Sequence, residues 1–237
     1  MELNDLPHQM RKYNNIEQER FIGACMLMCK ESTSQNFQDV WALFETGFKK
    51  EGYFVEFGAC DGIVGSTTLL LESKYNWNGI LAEPNPIWHE KLVNRKASIC
   101  RKCVWSETGK ELTFHNTADP MLGTLDQYTD SDEHAQARKN SQTFTVETIT
   151  LCDMLSYYLV PKVIDFVSID TEGSEYDILK AYFDDPRKDK YKVNLFCVEH
   201  NYTENREKIH SLMIENGYMR VFADFTRWDD FYRKDKQ

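Results

Sequence analysis

Short apolar segments alternate with amphipathic segments of helical period from residue 52 to the end of the chain. The apolar segments predict strands, and the periodic segments between them predict helices. The predicted strands are 53–57, 79–82, 97–104, 163–169, 193–198 and 218–222, and the predicted helices are 66–74, 87–94, 150–159, 174–183 and 204–215. This order favours right-handed crossovers, so we predict an α/β fold with a mostly parallel sheet and helices on both faces.

The first fifty residues have a different pattern. Segments 16–30 and 37–48 carry apolar side chains at helical spacing, among them Phe21 and Trp41. We therefore divide the chain into an N-terminal helical extension packed on the core, 1–50, and a main domain, 51–237. The same helices could also contact a second subunit, so a homo-oligomer is possible.

The segment 116–142 interrupts the alternation because it is polar and charged and has no clear period. Irregular segments of this length inside a domain are usually lids, binding loops or disordered segments. All three interpretations stay open from the sequence.

The charge and the longest apolar stretch of the chain argue against two classes of protein, those that bind nucleic acid and those that span a membrane. The chain has 28 Lys and Arg against 38 Asp and Glu, a formal charge of −10, which disfavours nucleic-acid binding. The longest apolar stretch, 21–29, is too short to span a bilayer, and the acidic start Met1 to Asp5 does not resemble a secretory leader. We therefore expect a cytoplasmic protein without a membrane span.

The seven cysteines are interpreted as reduced thiols. Cys100 and Cys103 have the spacing of a zinc-ligand pair, and Cys25 and Cys29 are four residues apart. No third and fourth ligand lies nearby in the sequence, so small buried thiols explain them better than a zinc site.

Ligands of open parallel sheets bind beyond the carboxyl ends of the strands. The first strand ends in a glycine turn with two acids, and the second strand ends at Glu83, a position suited to ribose hydroxyls. Carboxylates at the turn would repel a pyrophosphate and attract a sulfonium with an ammonium group, which favours S-adenosylmethionine over NAD. A glycine turn with a purely structural role is the alternative. The residues of these two strand ends are Glu56, Gly58, Ala59, Asp61, Gly62, Glu83 and Asn85.

Acids also follow the later strands. Asp170 and Glu172 follow the fourth strand, and Glu199 and His200 end the fifth. Glu175 lies in the first turn of the next helix, where the helix dipole favours an anion, so we assign it a structural role.

The motifs together resemble the FkbM-type S-adenosylmethionine-dependent methyltransferases. The segments that carry the likeness are 34–39 (SQNFQD), 52–62 (GYFVEFGACDG), 66–67 (ST), 71–72 (LE), 77–80 (WNGI), 83–86 (EPNP), 165–175 (DFVSIDTEGSE) and 197–199 (CVE). The resemblance implies a class I methyltransferase (Rossmann-like) fold, in which the last strand of a seven-stranded sheet is antiparallel. It also implies O-methylation of a hydroxyl group of a small molecule, typically a sugar, a glycan or a natural product.

The resemblance implies roles for the strand-end residues. The methionine moiety of the donor would bind at Glu56, Gly58, Ala59, Asp61 and Gly62. Glu83 would hold the ribose, with Asn85 beside it, and Asp170 would face the methionine amino group or the acceptor. The family also contains trafficking proteins, so a catalytically silent interaction protein with the same fold is the alternative function.

An alcohol acceptor must lose a proton, and a positioned base can accept it. We predict His200 as this base, oriented or stabilised by Asp170 or Glu199. A structural histidine at a strand end is the alternative. A bound Mg²⁺ held by Asp170, Glu172, Glu199 and Asn201 is a further hypothesis, because oxygen ligands suit that ion.

Overall fold

The computed structural model describes residues 16–235 of the chain. The acidic first residues, 1–5, on which the prediction about a leader depends, lie outside the described residues. The described helices are α1 Ile16–Met28, α2 Gln38–Glu45, α3 Leu69–Tyr75, α4 His89–Leu92, α5 Ala135–Arg138, α6 Leu151–Tyr157, α7 Glu175–Asp184 and α8 Asn205–Glu215. The strands are β1 Tyr53–Phe57, β2 Asn78–Ala82, β3 Ser98–Cys100, β4 Cys103–Val104, β5 Glu111–Asn116, β6 Thr124–Leu125, β7 Gln142–Ile149, β8 Val163–Ile169, β9 Lys192–Glu199, β10 Tyr218–Val221 and β11 Asp229–Lys234.

The central sheet has seven strands in the order β10-β11-β9-β8-β1-β2-β3. Strands β3, β2, β1, β8 and β9 are parallel, and β11 runs antiparallel to both β9 and β10. The prediction of an α/β fold with a seven-stranded, mostly parallel sheet is therefore confirmed. Strand β8 lies in the middle of this sheet and is buried along almost its whole length, which explains its nearly continuous apolar sequence.

The N-terminal helices cover one face of the sheet with aromatic side chains. Trp41 of α2 stacks on Phe231 of β11 with ring centroids 4.4 Å apart, and Phe21 of α1 stacks on Phe222 at 4.8 Å. Helices α6, α7 and α8 bury their apolar side chains in a second cluster with other residues of the sheet. The division at residue 50 stays a prediction, but the contacts show that both N-terminal helices pack on the sheet.

A second, four-stranded sheet with the order β4-β7-β5-β6 was not predicted. The prediction of a single strand over 97–104 is wrong. The chain leaves the central sheet after Cys100 and enters the second sheet at Cys103. Arg101 and Lys102 lie between the two, and Arg101 is exposed, so two charged side chains break the apolar run.

The irregular segment 116–142 is ordered and begins and ends in the second sheet, where Asn116 pairs with Gln142. Between them the segment forms β6, α5 and short 3₁₀ turns. Among the described helices, none is long and apolar enough to cross a membrane. A cytoplasmic location and a homo-oligomer stay predictions.

Candidate active site

The turn after β1 brings the ends of β1 and β8 into close contact at Gly58. Gly58 has a φ of +68°, and a Cβ atom at this position would lie 1.9 Å from the carbonyl oxygen of Asp170. Its backbone N–H donates to the carbonyl of Ala82 at the end of β2. Only glycine combines this left-handed conformation with so close an approach of backbone to backbone.

Glu83 follows β2 and has its carboxylate buried beside the same turn. It accepts hydrogen bonds from the backbone N–H groups of Cys60, at 3.0 Å, and Asn85, at 2.7 Å. Burial raises the pKa of Glu83 to about 7, and the two hydrogen bonds oppose that shift. A carboxylate has about four lone-pair sites, so Glu83 can accept two more hydrogen bonds from a ligand.

A cavity of about 320 Å³ lies beyond the carboxyl ends of β1, β2, β8 and β9. Residues from the 116–142 segment, including Met121 and His134, form part of its wall. Among the described residues, no Lys or Arg lines the cavity. Eight carboxylate side chains line it, and they are Glu56, Glu83, Asp119, Glu133, Asp170, Glu172, Glu199 and Asp229.

Three of these carboxylates, Asp170, Glu172 and Glu199, form a cluster, which we call the carboxylate cluster. One oxygen from each lies within 4.8 Å of the others. Burial raises the pKa of all three, and repulsion by neighbouring carboxylates, such as Asp229 for Asp170 and Asp170 for Glu172, raises it further. Glu172 also pairs with Arg138 of α5 at 2.8 Å, so this pair connects the irregular segment to the cluster.

A family model described as the methyltransferase FkbM domain matches residues 56–234, which include β1, β2, β8, β9 and the whole cavity apart from Gln35. The chain belongs to the FkbM methyltransferase-domain family. The resemblance proposed from the sequence motifs is therefore confirmed.

Solved structures similar to this FkbM domain have low sequence identity. The FkbM methyltransferase from Methylobacillus flagellatus KT is 11% identical, with a TM-score of 0.47, and the match covers 90% of this chain and 58% of that one. The chain thus spans less than two thirds of that protein. The precorrin-6y C5,15-methyltransferase from Geobacter metallireducens GS-15 is 9% identical, with a TM-score of 0.39 and coverage of 82% and 84%. No curated protein matches the sequence significantly.

Several residues predicted from the sequence line the cavity of the FkbM domain, and others do not. Those in the wall are Glu56, Gly58, Ala59, Glu83, Asp170, Glu172, Glu199 and Asn201; those outside it are Asp61, Gly62, Asn85 and His200. Glu56 is in the wall, but its carboxylate accepts hydrogen bonds from the side chains or backbone of Ser66, Thr67 and Thr68. Glu56 therefore also fixes the loop before α3.

The predicted residues outside the wall have structural contacts. Asp61 accepts hydrogen bonds from the backbone of Ile63, at 2.9 Å, and Val64, at 2.8 Å. The carbonyl of Gly62 accepts from the Arg95 guanidinium at 2.6 Å. Asn85 is the N-cap of the 3₁₀ turn at 86–88, where its side chain accepts from the Ile87 N–H. These contacts shape the two turns at the edge of the cavity.

His200, the predicted base, is buried on the other side of the strand end. Its Nδ1 accepts a hydrogen bond from the Tyr202 backbone at 3.0 Å, and its Nε2 lies 3.7 Å from an oxygen of Asp230. Burial lowers the pKa of His200 to about 4, so the ring is neutral at neutral pH. The structure therefore does not bring the imidazole to the cavity, and the structural alternative fits its contacts.

Glu175 has the structural role that its place in the helix predicted. Its carboxylate accepts hydrogen bonds from the backbone N–H groups of Thr171 and Gly173 at 2.9 to 3.1 Å. These bonds hold the turn that presents Asp170 and Glu172 to the cavity.

The cavity wall also contains Asp229, which was not among the residues predicted from the sequence. Asp229 begins β11 and pairs directly with Glu199 in the antiparallel register. Its side chain accepts hydrogen bonds from Gln38, at 3.0 Å, and Asn36, at 3.2 Å. The register of a strand beside β9 is the signal that identifies Asp229, because it places this residue opposite Glu199.

The buried acids make stability depend on pH in a defined direction. Burial raises the pKa of Asp170 to about 8 and that of Glu172 to about 9, so the folded protein binds protons more tightly than the unfolded chain does. We expect the free energy of unfolding of the unliganded protein to fall as the pH rises from 6.5 to 9. Urea unfolding at several pH values measures this, and a stability that stays level or rises across that range would contradict it.

Proposed function

We propose that the protein is an S-adenosylmethionine-dependent O-methyltransferase that acts on a hydroxyl group of a small molecule, such as a sugar, a glycan or a natural product. The observation that carries the proposal is the cavity at the strand ends, which is lined by eight carboxylates and, within residues 16–235, by no Lys or Arg. Such a wall attracts a ligand with a sulfonium and an ammonium group and repels one with phosphates. Its volume lies in the range of small-ligand sites.

The residues of the first two strand ends fit the donor. S-adenosylmethionine supplies an activated methyl group when it is bound. Glu83 would hold the ribose with the lone pairs that the bonds from Cys60 and Asn85 leave free, and the turn at Gly58 and Ala59 would receive the methionine end. Asp170 would lie next to the positively charged part of the donor, and that charge would favour the ionised form of its carboxyl group.

Other residues of the cavity wall suit a hydroxylated acceptor. Gln35, Asn201 and Glu133 offer hydrogen-bonding groups, and the indole of Trp228 offers a flat apolar surface. The enzyme aligns the acceptor with the methyl group and excludes water, and the segment 116–142 covers the reaction. Asp170 and Glu199 are the carboxylates placed to accept the proton of the hydroxyl group, with His200 outside the cavity.

The test of the proposal is thermal unfolding of the full chain with and without S-adenosylmethionine. We expect millimolar ligand to raise the melting temperature, because a ligand that binds only the folded state stabilises it. S-adenosylhomocysteine should act in the same way, and NADH should not. A melting temperature unchanged by S-adenosylmethionine would instead favour the silent interaction protein.

Glu83 provides a sharper test of donor binding. We expect Glu83→Gln to weaken binding of S-adenosylmethionine about 10- to 100-fold, because hydrogen bonds to a charged group contribute about 1.5–3 kcal/mol. Isothermal titration calorimetry measures this change. Glu147→Gln is the matched control, because Glu147 is an exposed partner of Lys102 on the second sheet. Equal affinity of Glu83→Gln and the wild type would remove Glu83 from the donor site.

A further inference from the structure

The carboxylate cluster has the geometry of a cation site. Asp170 and Glu172 follow β8, and Glu199 is the last residue of the adjacent β9. One oxygen of each residue lies within 4.8 Å of the other two. Metal–oxygen distances of about 2.0–2.6 Å put opposite ligands of one ion about 4–5 Å apart, so the three oxygens can share an ion with little movement.

Glu199 provides an independent observation that points to a ligand. Its side chain lines the cavity, and the residue is only 7% exposed. Nevertheless, its Oε2 atom has no hydrogen-bond partner anywhere in the described part of the chain. A buried carboxylate oxygen without a partner is costly, and an ion or a polar ligand in the cavity would remove that cost.

The carboxylate cluster is only partly paired with basic side chains. The Arg138 guanidinium is shared between Glu172 and Asp132, each at 2.8 Å. No Arg and no Lys of residues 16–235 lines the cavity, and Arg138 contacts Glu172 from outside the wall. Asp170 and Glu199 therefore have no basic partner in the wall, so a cation bound where the three oxygens meet would face no positively charged side chain there.

We infer that Asp170, Glu172 and Glu199 bind a divalent metal ion of the oxygen-preferring class, such as Mg²⁺ or Mn²⁺. The site itself stands on the geometry of the three carboxylates, whereas its role rests on the proposed function. Next to an acceptor hydroxyl, the ion would stabilise the oxygen that loses its proton and lower the pKa of that hydroxyl. The remaining ligands would be water or the acceptor, since Mg²⁺ usually keeps several waters.

Titration with Mn²⁺ alone tests the site without an acceptor. Free Mn²⁺ has an electron paramagnetic resonance signal that decreases on binding, so the signal gives the dissociation constant for the full chain. We expect one ion per chain, and binding at least about tenfold weaker in Glu199→Gln, because affinity follows the number of charged ligands. Mg²⁺ should compete with Mn²⁺. The control is Glu133→Gln, a wall carboxylate outside the cluster, which should change the dissociation constant less than twofold.

The outcomes separate this inference from the proposed function. Absence of Mn²⁺ binding by a chain that S-adenosylmethionine stabilises would overturn the metal site and leave the methyltransferase proposal in place. Equal Mn²⁺ binding by Glu199→Gln and the wild type would overturn it as well. Each variant is checked by its melting temperature, and if Glu199→Gln does not fold, Asp170→Asn provides the same comparison.

Discussion

Replacing Gly58 with alanine is expected to abolish measurable binding of S-adenosylmethionine and to lower the free energy of unfolding by about 3 kcal/mol. The added Cβ would lie 1.9 Å from the backbone carbonyl oxygen of Asp170, in a residue with φ of +68°. The ends of β1 and β8 would have to separate, which displaces both the donor turn and Asp170. Calorimetric titration with the donor and urea unfolding measure the two effects.

Gly109→Ala is the matched control for this variant. Gly109 has a φ of +78°, but a Cβ there would meet nothing within 4 Å. The Gly109→Ala variant therefore has the backbone strain without the steric overlap. We expect its free energy of unfolding to be about 1 kcal/mol lower than that of the wild type and its affinity for S-adenosylmethionine to be unchanged. If Gly58→Ala bound the donor as tightly as Gly109→Ala does, the turn after β1 would not be part of the donor site.

Replacing Asp170 with asparagine is expected to lower kcat about 10²- to 10⁴-fold, the usual contribution of a positioned base. The change keeps the shape of the side chain but removes the charge that faces the cavity. Because burial raises the pKa of Asp170 to about 8 in the metal-free protein, the wild-type rate in the presence of EDTA should also increase as the pH rises from 7 to 9. Initial rates at saturating donor measure both effects, with an acceptor selected from a panel of hydroxylated sugars.

The variant His200→Gln tests whether His200, and not a carboxylate of the cavity, is the base. The side chain of His200 contacts Tyr202 and Asp230 outside the cavity. We therefore expect the substitution to lower the melting temperature and leave kcat within about threefold of the wild type. A loss of kcat in His200→Gln as large as in Asp170→Asn would restore the histidine as the base.

The central sheet could be predicted from the sequence because its strands are apolar and regularly separated by helices. The segments 53–57 and 163–169 match β1 and β8 at both ends. The second sheet could not be predicted in this way. Its strand β5 has only Phe114 fully buried, and its pairing with β7 joins residues that are distant in sequence. Such strands have no apolar period that distinguishes them from a loop.

The candidate site was partly predictable because the carboxyl ends of parallel strands meet at one edge. This reasoning placed Glu83, Asp170 and Glu199 together, as the cavity shows. The same reasoning could not predict in which direction a side chain points once its residue lies beyond the end of a strand. Asp61 and Asn85 turn to nearby backbone groups, and His200 faces Asp230. These directions depend on positive φ values and turn contacts that the residue types alone do not specify.

The most direct measurement is a crystal structure of the protein with S-adenosylhomocysteine. We predict the ribose hydroxyls at the carboxylate of Glu83, the amino acid end at the turn of Gly58, and the sulfur facing Asp170. A nucleoside bound away from these strand ends, or a phosphate-bearing nucleotide bound among the carboxylates, would contradict the assignment.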